Sequence, residues 1–218
     1  MSLYPFALFL HIVAVLGLFI ATGIEWTTLF GVRSAKNVAQ VRQFMNVNTA
    51  FELVFPVAAL LILVAGLYMT FTVWGWSQAW INVSLLALIS MGILGPTINA
   101  RRMKAIHISA ELTPDGPVPA SLKKQINNRV LWTTVQAMSF ADLGIIYLMT
   151  IKPGWIESIV VIIVTATVGA IVAQRMLRNA HAAQPGIEAA TAYTVLADTT
   201  PEADSAVAYS VLEEETAR

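Results

Sequence analysis

The sequence contains no cysteine, which excludes disulfides, thiolate metal sites and cysteine nucleophiles. Charge is scarce as well: Asp, Glu, Lys and Arg make up 12% of the residues, against about 25% in soluble domains. The 13 basic and 13 acidic residues cancel, so no global field points to nucleic acid. Only three histidines occur, and no HExxH, P-loop, GxSxG or dinucleotide fingerprint is present. What abounds is apolar: 57% of the residues are hydrophobic and the mean hydropathy is +0.69. Too few charges exist to shield that surface from water. A bilayer removes the difficulty, because apolar side chains face lipid without penalty.

A membrane-spanning helix takes roughly 20 mainly apolar residues. The windows that qualify are residues 3–24, 49–72, 78–98, 130–151 and 155–174. Met1 to Pro5 lacks a basic segment, and the apolar run behind it continues to Ile24, so it reads as a retained helix and not as a cleaved signal. The fold expected is an all-α membrane bundle of about five transmembrane helices over residues 1–182. A disordered acidic cytoplasmic tail is expected over 183–218, where Ala, Thr, Glu and Asp dominate.

Basic residues set the orientation. Arg33, Lys36 and Arg42 lie in the first connection, six more between Arg101 and Arg129, and Arg175 and Arg178 after the last window; Lys152 alone lies opposite. The N-terminus is therefore expected outside and the C-terminus in the cytoplasm, in the inner (plasma) membrane of a bacterial cell. Trp74, Trp76, Trp80 and Trp155 mark the outer interface. Two hairpins share a pattern: Tyr68-Met69-Thr70 then Gly75-Trp76, and Tyr147 to Thr150 then Gly154-Trp155. This is either an internal repeat or what any two membrane hairpins have in common. Between the third and fourth windows, the helix is expected to continue to His107 or Leu112, turn at Thr113–Pro117 and re-enter amphipathically from Ser121.

An ionisable side chain near the bilayer centre costs at least about 2.5 kcal/mol, so each needs a reason. The candidate buried polar residues are His11, Glu25, Glu52, Gln136 and Asp142. With 1.5 Å of rise per residue, His11 and Asp142 each lie roughly 12–13 Å below the outer boundary. Either they form a hydrogen-bonded pair, or His11 is neutral on a backbone carbonyl or hydroxyl and Asp142 is protonated. Glu25 shares the face of His11 with Ala14, Leu18, Ala21 and Thr22, whose small members suit close helix contact. Glu25 and Glu52 are expected in ion pairs with Arg33, Arg101 and Arg102, or else at a polar site opening to the cytoplasm. Asn82, Ser84, Ser90, Gln136 and Ser139 read as hydrogen-bonding links between helices, and Pro56 as a kink.

Two functional classes follow. One is a non-enzymatic accessory or small-solute and ion-handling protein with a buried His11 and Asp142 core and no cofactor. The other is a redox protein binding haem b or a metal through His11, with Met69 or Met149 as second ligand, since His107 and His181 fall outside the windows. A third, weaker possibility is a membrane anchor for a cytosolic partner, read from the tail echoes 192–196 and 208–212. No nucleic-acid partner is expected, and no metal site.

Leu8-Phe9-Leu10-His11, Gly66-Leu67-Tyr68, Asn127-Asn128 and Leu148-Met149-Thr150-Ile151-Lys152-Pro153-Gly154 resemble the family of predicted bacterial membrane proteins with domain of unknown function 2269. The resemblance covers residues 1 to about 155 and implies a polytopic membrane fold without an assigned activity. The helix-1 histidine also distantly resembles that of copper-resistance D-type proteins and of haem-associated protoporphyrinogen oxidases. Those oxidases use an intramembrane lysine as well, and no lysine falls inside a window here.

Overall fold

In the computed structural model, the described residues are 3–199 for the backbone and 3–178 for side chains. The chain runs α1 (Tyr4–Ser34), α2 (Val38–Ala50), α3 (Val54–Met69), α4 (Ala79–Leu94), α5 (Arg101–Leu112), α6 (Ala120–Ile126), α7 (Arg129–Ile151) and α8 (Trp155–Thr199). Wider π-helical turns, Thr70–Trp74 and Gly95–Ala100, close α3 and join α4 to α5. Five stretches are long and apolar enough to cross a membrane: Tyr4–Ser34, Val38–Trp74, Ala79–Leu112, Ala120–Ile151 and Trp155–Arg178. In four of the five, only 17% of the most apolar window is buried within the chain. Phe6, Phe9, Ile20, Leu86 and Ile163 lie open on helix faces, a surface that needs lipid and not water against it.

Helices outrun the windows because hydropathy marks the hydrocarbon core and not the helix end. The 31 residues of α1 span about 46 Å, well past a core of about 30 Å, and carry Arg33 in the final turn. The first connection is itself helical. Asn37 caps α2 by accepting from the Gln40 amide at 2.9 Å, while the Gln40 side chain accepts from the Lys36 amide at 2.8 Å, a reciprocal cap. The 99–129 stretch folds as expected, with α5 ending at Leu112 and α6 preceding α7. Pro56 does not kink a helix. The break falls at residues 51–53, and Pro56 sits in the first turn of α3, where its missing amide has no intrahelical role. Of the tail expected over 183–218, residues 200–218 lie outside the described residues. The echo at 208–212 lies there too, as do the side chains of the echo at 192–196; from 183 to 199 only the backbone is described, as the end of α8.

Residues up to Gln174 form one compact unit, and Arg175 begins a second. Within the first, α1 packs on α3 through Ala14, Leu18, Ala58 and Ile62, the small residues letting the backbones approach. A second cluster joins α4 to α7 and α8 through Trp80, Ile81, Leu148, Val161 and Ile162. At the α7–α8 crossing, a Cβ on Gly169 would fall on the Gln136 carbonyl and lie 2.9 Å from the Ala137 Cα, so only glycine fits. The two pairs meet at the Arg33 end, where the Trp26 indole donates to Ser139 Oγ at 2.9 Å and Phe30 packs edge-on against Trp132.

Candidate functional site

Toward the other end, α1 and α3 part from α4 and α7 and enclose a cavity of about 570 Å3. Its walls are largely apolar, with Leu8, Ile12, Leu16 and Ile146 reaching the exposed surface between helices. The mouth holds Trp74, Trp80 and Lys152. Lys152 ends α7 in the left-handed conformation (φ 56°). Its ammonium lies 4.2 Å from the Trp74 ring centroid and 5.9 Å from that of Trp80, within cation–π range.

His11, Ser84 and Asp142 supply the polar part of the wall. His11 Nδ1 lies 3.1 Å from the Ile62 carbonyl oxygen, with its ring against Gly66. A carbonyl only accepts, so Nδ1 carries the proton, and the neutral ring leaves Nε2 as an acceptor. His11 and Asp142 thus share a cavity, but His11 spends its donor on α3 and not on Asp142. Asp142 is 6% exposed; among the described residues, the ion pairs within 4 Å are Arg42–Asp115 and His107–Glu111, not one at Asp142. Glu25 of α1 lies within electrostatic reach of it. Ser84 Oγ, on a residue 2% exposed, has no hydrogen-bond partner among the described residues. A helical serine commonly donates to the carbonyl four residues back, as Ser90 does to Leu86 at 2.8 Å; Ser84 does not.

Several expected contacts are replaced by others. Glu52 is exposed in the turn between α2 and α3, outside the buried group. Among the described residues, the ion pairs within 4 Å do not include Glu25 or Glu52. Arg33 stacks over Trp132 at 4.8 Å, and Arg102 donates to Asn128 Oδ1 at 2.9 Å, contacts that suit a planar guanidinium. Gln136 is buried at the α7–α8 crossing, 1% exposed, and does not line the cavity. Of the proposed interhelical links, Ser139 joins α7 to α1. Ser90 bonds within its own helix, and Asn82 bonds back to the Trp76 and Gln78 carbonyls. Asn99, which sequence reasoning assigns to a connection, is 6% exposed and accepts from Thr134 Oγ1 at 2.6 Å. Met69 and Met149 both line the cavity with His11. Among the described residues, no three His, Asp or Glu side chains converge as a metal-binding group.

A helical membrane bundle with a laterally open, mainly apolar cavity is the class these features define. The family model described as predicted integral membrane protein (DUF2269) matches residues 6–153, and the chain belongs to that family. The match takes in every helix that walls the cavity and stops before α8. No curated protein and no solved structure matches the chain.

Proposed function

We propose that the chain is a non-enzymatic, solute-handling protein that holds a small membrane-dissolved molecule between α1, α3, α4 and α7. The observation that carries this reading is a buried hydroxyl, Ser84 Oγ, left without a partner in the wall that also holds Asp142 and His11. Buried polar groups are otherwise nearly always bonded. Open ones in a roomy, mostly apolar cavity mark where a ligand completes the bonding. The exposed rim of Leu8, Ile12 and Leu16 makes the bilayer the route of entry.

The test uses the indoles of Trp74 and Trp80 as energy donors to a neutral apolar dye, N-phenylnaphthylamine, with protein in nanodiscs. Saturable energy transfer is expected, and Ser84→Phe, which fills the cavity, abolishes it while the melting temperature holds. Transfer that is unsaturable, or unchanged in Ser84→Phe, overturns the reading.

The placement belongs to the same proposal: a bacterial plasma membrane, N-terminus outside, C-terminus cytoplasmic. Its support is the basic content of the first and third connections against Lys152 alone. Because the chain has no cysteine, single introduced thiols report cleanly. Ser77→Cys, exposed in the Trp-rich turn, is expected to react with an impermeant maleimide on whole cells, and Lys124→Cys, exposed in α6, is not. The reverse pattern overturns the orientation.

A further inference from the structure

Resting on that cavity reading, we propose that the molecule it takes is a lipophilic ammonium, a compact apolar body bearing one protonated amine. Away from the mouth, the polar wall offers acceptors at His11, Asp142 and Ser84. His11 Nε2 is an acceptor once Nδ1 is committed to Ile62. Asp142 is a carboxylate without an ion-pair partner among the described residues, and Ser84 Oγ accepts as readily as it donates. A donating ligand can satisfy all three, whereas a quinone or ester carbonyl, which only accepts, finds only the Ser84 hydroxyl among them.

Charge narrows the class further. Glu25 lies within electrostatic reach of Asp142, so negative charge carried by this pair draws a cation and repels a carboxylate. The opposing charge in the wall, Lys152, lies ten residues along α7, about 15 Å by helical rise, with its ammonium on the two indoles. The mouth already holds a primary ammonium against Trp74, so its indole faces suit an entering cation only where it takes the place of that ammonium. A volume of about 570 Å3 holds a body of ten or more carbons, within the range of small-molecule sites.

Three probes of one shape separate the possibilities: adamantylamine, adamantanol and adamantanecarboxylate, each displacing N-phenylnaphthylamine from the protein in nanodiscs. Adamantylamine is expected to displace the dye at a concentration about tenfold below adamantanol, the size of one charge-assisted bond, with the carboxylate weakest. In Asp142→Asn the amine and alcohol, each expressed relative to that variant's own dye affinity, converge to within about twofold. An alcohol as strong as the amine, a carboxylate ranked first, or a gap that survives Asp142→Asn overturns the inference and leaves the cavity reading standing. Failure of the dye to bind the wild-type protein overturns both. If Asp142→Asn does not fold, the wild-type ranking decides alone.

Discussion

The two ends of the bundle treat their polar groups in opposite ways. At the Arg-rich end they are tied to one another. Arg42 of α2 donates to the Ala110 and Thr113 carbonyls at 3.0 Å and to Asp115 at 2.7 Å, clamping the turn after α5. His107 lies between Asn46 and Thr49 of α2, Arg102 holds Asn128, and the Trp132 indole donates to the Ile126 carbonyl at 2.9 Å. The saturation is not complete there: Thr133 Oγ1 is buried without a hydrogen bond among the described residues, and Gln136 makes none through its Oε1. At the Trp-rich end, helices that could close together stay apart, and Ser84, His11 and Asp142 face the gap with bonding capacity unspent. Saturated networks rigidify; open polar groups in a cavity are held in reserve for something else. On the proposed reading, the contrast separates a supporting end from a binding one.

The sharpest way to break that contrast is through glycines. Gly169→Ala sets a Cβ on the Gln136 carbonyl of α7, backbone against backbone, and is expected to lower stability by about 2–3 kcal/mol. Gly66→Ala, beside the cavity, meets only the His11 ring at 3.4 Å and is expected to change stability by less than about 1 kcal/mol. Melting curves of both variants in one detergent check the difference. Equal losses would mean the cavity is packed as tightly as the α7–α8 crossing.

Next in size is the Asn128 cap. Its Oδ1 accepts from the Val130 and Leu131 amides at 3.0 and 3.2 Å as well as from Arg102, so it starts α7 and fastens α5 to it. Asn128→Ala is expected to cost about 1–2 kcal/mol in the same melts. Ser84→Ala sharpens the comparison from the other side. Removing a buried hydroxyl without a partner is expected to leave stability unchanged or raise it by up to about 1 kcal/mol. A loss like that of Asn128→Ala would show that Ser84 is bonded after all.

Most of the fold is legible in the sequence, because a run of apolar residues long enough to cross lipid has few other uses. The ends are not legible. Where α1 passes residue 24 and α4 gives way through Gly95–Ala100 to α5, the sequence turns basic and amphipathic while the helix continues, so Asn99 falls outside the third window although it is buried. The site is half legible. His11 and Asp142 stand out as ionisable groups in apolar windows, and both line the one cavity. What each one bonds depends on rotation about the helix axis and on which helices pack, which periodicity alone does not fix; hence His11 on Ile62. Ser84 is invisible as a site, since one serine among many differs only in what its neighbours leave unpaired.

The smallest expected effect lies at the mouth. Lys152 holds a left-handed backbone that a non-glycine residue adopts at a cost of about 1–2 kcal/mol. Its cation–π contact with Trp74 returns about 0.5–1 kcal/mol. Lys152→Gly removes both, so its net change is expected to be within about 1 kcal/mol of zero. The sum is uninformative, but a double-mutant cycle with Trp74→Leu separates the parts. Lys152→Gly should be more favourable in the Trp74→Leu background than in the wild type by about 0.5 kcal/mol. Additive effects would show that the ammonium is not held by the ring. The indoles would then lose their role as a surface suited to cations, and preference for an amine would have to come from Asp142 and Glu25 alone.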